Sequence, residues 1–456
     1  MQTASRTIQI SALALGIVGA LAFGQTNASG FQLRENSVKN LGRANAGTAV
    51  AKDDASVVAN NPAAMVNLDK TTVQVDATNI NLNAEFTGGG KAAAAFGPAA
   101  PALTGGNGGD PGKAKIVPAL AIVVPMGNFR FGASVSGPFG LKTEYDPRWV
   151  GRYNAIKSDV KTVDLTLSAA WAITDRFSLG AGVIAQRADV TLTNAIDFGT
   201  ALCAGSGNPA NCFNPAFPFR PQGADGSVEV KGNDNAYGWL IGAQWRATDN
   251  FVVGYSHHSK IDHTLTGTAD FTAPASVVAT FGALGVTSFN DGAIYAPLTT
   301  PSIDTLSARW DINDQFRLMG DIQRTGWNSL KNVTVYRANG ALLGPPEAFD
   351  WRNTTYFGVG GEWVMNSAFT LRAGIAHDQT PTNDRTRTPR LPDNTRRLYS
   401  VGATWNVSDA FSVDAAYQRI SIDDPSINVA SSSGSRLTGK FSGHADLVGV
   451  SAQYRF

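Results

Sequence analysis

The sequence predicts an all-β fold: a 14-stranded antiparallel transmembrane β-barrel whose lumen is closed by the chain's own N-terminal segment. Three observations predict it. Residues alternate apolar and polar over many short stretches, one tight-turn phrase recurs between long polar loops, and the leading segment shows no alternation at all. Composition agrees. With 456 residues, 16% charged and 43% hydrophobic, the chain is too polar for a helical membrane protein and too sparsely charged for a disordered one. The 48 Gly, 21 Pro and 23 Phe suit strands and turns. A net charge of +1 leaves no electrostatic footprint for nucleic acid.

Residues 1–28 read as a signal peptide: Arg6, an apolar stretch Ile8 to Phe23, then Thr26-Asn27-Ala28 with cleavage expected after Ala28. A membrane anchor is the alternative reading. Beyond it no apolar run approaches the ~20 residues of a membrane helix. The longest, 118–125, is bracketed by Pro118 and Pro125. An exported chain of this kind is either soluble or crosses a membrane by strands. Export also makes Cys203 and Cys212, close together in a Gly/Pro/Asn-rich loop, a loop-closing disulfide rather than a metal pair. Two thiolates without neighbouring His make a poor zinc site.

Strand alternation is plain in 163–171, where Val163, Leu165, Leu167 and Trp171 oppose Asp164, Thr166 and Ser168. It recurs in 399–407 and 411–418. A soluble sandwich alternates too, so the connections decide. The phrases MGNF (126–129), ITDRF (173–177), ATDNF (247–251), INDQF (312–316), MNSAF (365–369) and VSDAF (407–411) each pair small polar turn residues with a Phe that starts the next strand. Longer polar connections lie around 86–113, 138–157, 195–227, 272–301, 332–350, 379–395 and 422–437. Six tight turns alternating with seven long loops make fourteen strands over 71–456, the plan of an outer-membrane barrel. In hydrocarbon a closed sheet pairs every backbone amide and leaves no edge. The charged alternate positions Asp164, Arg317, Asp321, Arg372 and Asp414 then face the lumen. The final strand ends on Phe456, resembling the signal that the outer-membrane assembly machinery reads.

Residues 29–70 are dominated by small residues, with short helical possibilities at 37–43 and 55–58 and a further turn begun by Pro62. A floppy tail is one reading. Close packing inside a lumen that fourteen strands leave wide is the other, and is the one expected.

Gly30-Phe31-Gln32-Leu33, Leu41-Gly42-Arg43-Ala44, Asn61-Pro62-Ala63, Pro138-Phe139-Gly140, Gly326-Trp327 and residues 387–393 together resemble the FadL family of outer-membrane transporters, which includes channels for toluene-like hydrocarbons. The resemblance spans the whole mature chain. It implies a barrel closed by an N-terminal hatch and passive uptake of long-chain fatty acids or other hydrophobic compounds. The ligand would be caught in outer loops (213–219 and 271–289 are candidates) and held in a luminal pocket. It would be released sideways into the membrane at a kinked third strand.

By the same resemblance Phe31 reaches the pocket, Asp378 matches a functional aspartate, Arg187 matches a basic residue, and Gly140 matches the kink glycine. From the residues alone, Gly137-Pro138-Phe139-Gly140 reads equally as a strand end, since Pro donates no ladder hydrogen bond and Gly permits a bulge. Parity turns Arg352 and Asp378 inward, where they either meet a ligand's carboxylate or tie wall to hatch. Parity turns Arg187 outward. Glu347 lies near the second basic position of some relatives, which leaves a neutral hydrocarbon open as ligand.

No nucleotide-binding motif, cofactor site or metal site is expected. The five His are scattered: His257 and His263 share a parity but stand ~20 Å apart along a strand, and His258 opposes them. No local motif announces a catalytic triad, so an enzyme is not expected. An open general porin is the other rival, against which the N-terminal segment argues, and an adhesin is a third. The barrel is expected to act as a monomer.

Overall fold

The computed structural model describes residues 30–456, so the expected signal peptide and its cleavage point lie outside the described residues. The architecture is a closed antiparallel barrel of fourteen strands. They are β1 Thr72–Lys91, β2 Lys115–Met126, β3 Phe129–Ser136 continuing after a break as Gly140–Glu144, β4 Lys157–Thr174, β5 Phe177–Asp197, β6 Asp225–Thr248 and β7 Phe251–His258 with Ile261–Thr272. The second half comprises β8 Gly292–Thr300 with Ile303–Asp311, β9 Phe316–Thr325, β10 Thr354–Val364, β11 Phe369–Asp378, β12 Arg396–Asn406, β13 Phe411–Ile422 and β14 Arg436–Arg455. The barrel closes where β1 meets β14, from Thr72 opposite Arg455 to Lys91 opposite Arg436.

Each tight turn delivers the expected Phe as the first residue of the next strand: Phe129, Phe177, Phe251, Phe316, Phe369 and Phe411. The turn residues work by accepting backbone N–H groups. Asn313 Oδ1 accepts from the amides of Gln315 (2.9 Å) and Phe316 (2.8 Å). Asn366 does the same for Ala368 and Phe369, both at 2.9 Å. In MGNF, Gly127 takes φ +60°, which a residue with a Cβ resists.

Alternation sorts the faces. Leu165, Leu167 and Trp171 on β4 are exposed on the lipid side, while Asp164, Thr166 and Ser168 between them are buried in the lumen. No helix among the described residues is long and apolar enough to cross a membrane. The strands do that, and their exposed apolar faces suit hydrocarbon.

Two strands differ from the sequence expectation. β8 begins at Gly292 rather than near residue 302, because Gly292–Thr300 pairs with Ala269–Ile261 of β7. Pro297 and Pro301 disguised this part as loop. In β7, a break at Ser259-Lys260 shifts the register by one residue against β6 and reverses the parity beyond it. His257 therefore lies half-buried on the outer face against Asp304 (2.8 Å), while His263 is buried inward against Asp234 and Gln186. The two do not share a face.

Residues 30–70 run through the lumen, most of them buried. Helix α1 (Val38–Leu41) is capped by Ser37, whose Oγ accepts the Asn40 N–H. Helix α2 (Val57–Asn60) follows, then a 3-10 turn Pro62–Asn67 with Asn61 as its cap and Pro62 at its first position. Contact with the wall is so close at some inner-face glycines that a side chain there would crowd the segment's backbone. A Cβ on Gly180 would collide with the Ala63 amide, and one on Gly374 with the Arg43 carbonyl. Two apolar clusters anchor the segment, Leu33, Val38 and Leu41 against β1, β12 and β13, and Val57, Val58 and Met65 against β2.

Candidate functional site

The site forms where the start of the chain meets the break in β3. Beyond Ser136 the third strand leaves its partner β2: pairing between them ends at Leu120 opposite Val135. The continuation Gly140–Glu144 pairs with β4 alone. Residues 115–119 of β2 thus pair with β1 but find no third-strand neighbour, and one of them, Pro118, has no N–H to satisfy. In place of β2, residues 31–33 take up the freed backbone. Leu33 N donates to Pro138 O and Gly140 N donates to Phe31 O, both at 2.7 Å, with Gln32 opposite Phe139. On the far side Phe139 N donates to Thr162 Oγ1 at 3.1 Å.

This pairing sets Phe31 and Phe139 in an apolar cluster. The Phe31 ring lies 5.8 Å from Phe139, 4.8 Å from Trp327 and 5.8 Å from Trp351, mostly edge-on, as aromatic quadrupoles prefer. Leu141, Leu330 and Leu391 complete it. Next to the cluster an apolar pocket opens, bounded by Phe31, Val160, Leu265, Leu298, Phe349 and Trp351. Its charged lining residues are Arg390 and Glu347, 3.4 Å apart. A second cavity lies on the other side of residues 32–34 and reaches the break at Ser136, Gly137 and Pro138. Its walls are mixed, with Asp164, Asp321 and Gln323 beside Leu33, Ile184 and Ile303.

Of the residues singled out in the sequence, the structure brings Phe31, Phe139, Gly137, Pro138 and Gly140 together at the break. Asp378 is buried on β11 and binds Arg34 at 2.8 Å, with the Arg34 guanidinium 4.4 Å over the Tyr356 ring. This is a tie between wall and N-terminal segment. Two basic residues stand elsewhere. Arg187 points outward, exposed, and pairs with Asp189 two positions on (2.9 Å), because β5 runs through it without a bulge. Arg352 is exposed and its Nε donates to Thr380 O at 3.3 Å. The strand β10 starts only at Thr354, so the parity argument does not extend to Arg352. Neither reaches the pocket.

Asn61 Nδ2 donates to Ala49 O (2.7 Å) and Ala243 O (3.2 Å), and its Oδ1 accepts from Ala63 N, fixing Asn61-Pro62-Ala63 against β6. Cys203 and Cys212 form a disulfide in the long loop after β5. In the loops, Phe198, Phe271, Phe281 and Phe289 pack on one another around helix Ala275–Leu284, and Phe213 lies 5.6 Å from Phe96. Sequence reasoning missed Arg34, Trp351 and Arg390 as site residues. Arg390 stood within a quoted motif, but only the folded loops reveal that it reaches β4 and β5.

A family model described as outer membrane protein transport protein (OMPP1/FadL/TodX) matches residues 19–456. Outer membrane protein P1 of Haemophilus influenzae is 30% identical over 426 residues, covering 87% of each chain. The long-chain fatty acid transport protein of Escherichia coli K12 is 26% identical over 416 residues, covering 88% of this chain and 90% of that protein. Among solved structures, a Pseudomonas aeruginosa FadL homologue superposes with a TM-score of 0.85 at 28% identity, covering 93% of this chain and 99% of that one. The Ralstonia pickettii toluene transporter TbuX shares the fold, with a TM-score of 0.60 at 20% identity and coverage of 92% and 100%. Matched along nearly its whole length, the chain belongs to the OMPP1/FadL/TodX family of outer-membrane transport proteins, which carry hydrophobic compounds.

Proposed function

We propose that this protein passes hydrophobic small molecules with a long alkyl chain, fatty acids among them, from the outer loops into the luminal pocket and then sideways into the membrane. The observation that carries the reading is the pairing of Phe31–Leu33 with the break in β3. Residues 31–33 occupy the backbone positions that an unbroken wall would give to β2, and the Phe31 ring is also a wall of the apolar pocket. Ligand that displaces this ring therefore pulls on the bonds that fill the gap. Residues 30–70 act as the hatch, of which residues 30–33 are the moving part and the Arg34–Asp378 pair the hinge. Transfer from water to hydrocarbon is downhill at ~0.8 kcal/mol per buried CH₂, so the route needs no nucleotide.

Ligand chemistry at Phe31, Phe139, Trp327 and Trp351 also favours a second reading, an aromatic hydrocarbon stacked among these rings. An open porin is disfavoured by a lumen filled with buried charge pairs. The test is uptake of radiolabelled palmitate and toluene by a deletion strain carrying the protein. Replacing Gly137–Gly140 by a regular strand sequence should abolish uptake of whichever compound is carried. Unchanged uptake of both would remove the lateral route.

A further inference from the structure

The pocket wall is apolar except at one end, where Arg390, Glu347 and Ser158 meet. Arg390 is 8% exposed. Its Nη2 donates to Asn194 Oδ1 at 3.1 Å, and its Nη1 lies 3.4 Å from both Lys157 O and Ser158 Oγ. All are longer than the 2.7–2.9 Å of a charge-assisted bond. Its Nε has Glu347 Oε2 within ion-pair range at 3.4 Å but no hydrogen-bond partner. Glu347 sits on a small hairpin in which Glu347–Ala348 pairs with Asn332–Val333. The charge of Arg390 is thus already balanced from within the chain, while one buried N–H remains unsatisfied.

We propose that the Arg390–Glu347 pair makes the pocket select long-chain compounds with an uncharged, oxygen-bearing head, such as an alcohol, an ester or a protonated acid, over ionised carboxylates. The Nε–H lies just beneath the pocket surface, and once ligand has displaced the neighbouring apolar side chains a hydroxyl or carbonyl oxygen accepts it and leaves Glu347 in place. An ionised carboxylate in the same position adds a second negative charge to a guanidinium already paired with the one-third-exposed Glu347, and the two carboxylates repel each other. Glu347 is then the specificity-determining residue, and Arg390 the donor. The inference rests on the pocket being the ligand site.

The test uses the purified, folded barrel with Phe in place of the six lipid-facing tryptophans (Trp171, Trp239, Trp245, Trp310, Trp363 and Trp405), so that detergent-borne probe does not quench them. It reads bromine quenching of the remaining tryptophans, Trp327 and Trp351 among them, by 12-bromododecan-1-ol and 12-bromododecanoate at about pH 9, where a fatty acid is ionised. Each probe's affinity is corrected for its separately measured partition into the detergent, so the alcohol-to-carboxylate ratio reports the pocket. Wild type should bind the alcohol at least about tenfold more tightly than the carboxylate. Glu347→Gln should gain about tenfold for the carboxylate with the alcohol nearly unchanged, Arg390→Gln should weaken the alcohol, and Arg390→Lys should keep the wild-type preference. A wild type that prefers the carboxylate, or a Glu347→Gln variant with an unchanged ratio, overturns the proposal. If neither probe quenches wild type, the pocket itself is not the ligand site, a different failure with a different reading.

Discussion

The N-terminal segment is attached to the barrel by two seams that differ in how densely charge holds them. Along residues 37–67 the seam adds buried ion pairs and backbone bonds to wall carboxylates to the two apolar clusters. Glu362 of β10 receives Arg43 (2.6 Å) from the segment and Arg372 (2.9 Å) and Arg317 (3.0 Å) from the wall. Asp321 of β9 accepts the Gly47 amide at 2.7 Å, and Asp76 of β1 accepts the Val38 amide at 2.8 Å. Along residues 30–33 the seam is a few backbone bonds to an interrupted strand, neutral side-chain hydrogen bonds between Gln32 and both Gln323 and Thr325, the Gly30 amide on Asp393 and an aromatic cluster, and it is bounded by the Arg34–Asp378 pair. Directional charge pairs in a dry lumen hold one geometry, since any displacement strands a buried charge. Apolar contact is non-directional and is replaced without loss by another apolar body. The difference assigns fixity to the first seam and exchange to the second.

Removing the hub of the fixed seam should have the largest effect. Glu362→Ala leaves two buried arginines without their main partner and is expected to cost about 3–5 kcal/mol, seen as a lower heat-modification temperature of the folded barrel. Phe31→Ala in the exchanging seam should cost about 3 kcal/mol of packing yet also weaken ligand binding, which Glu362→Ala should not do beyond its loss of folded protein. Gly180→Ala tests the close approach of Ala63 and should cost about 1–3 kcal/mol by overpacking, with ligand affinity retained. The smallest effect is expected of Asp378→Asn. It loosens Arg34 and should speed hydrogen exchange of the residue 31–34 amides several-fold, while residues 38–67 keep their protection. Equal acceleration in both stretches would erase the contrast between the seams.

The wall was legible in the sequence because its rules are local. A Phe after an Asn or Asp turn marks a strand start, and period two marks a face. Prolines in β8 and the Ser259-Lys260 bulge in β7 break those local rules, so the extra half-strand and the reversed facing of His263 were not legible. Pro62 announced the start of its own turn, whereas the Asn61 cap emerged only in the fold. The pocket was only partly readable: Phe31, Phe139 and the break stood out through motifs. Arg34 meets Asp378 across 344 residues, and Arg390 meets Asn194 across 196, distances over which no periodicity carries information. Arg187 and Arg352 were drawn in by alignment and parity, and each is pre-empted by a nearer partner.

The central claim is that residues 31–33 must leave the break in β3 for transport. Gln32 and Phe139 face each other as a non-hydrogen-bonded antiparallel pair, whose Cα atoms lie close enough for a disulfide. In a background with Cys203 and Cys212 changed to Ser, the double variant Gln32→Cys/Phe139→Cys should take up labelled substrate when reduced and stop when oxidised, recovering on reduction. Equal uptake in the oxidised and reduced states would contradict the account.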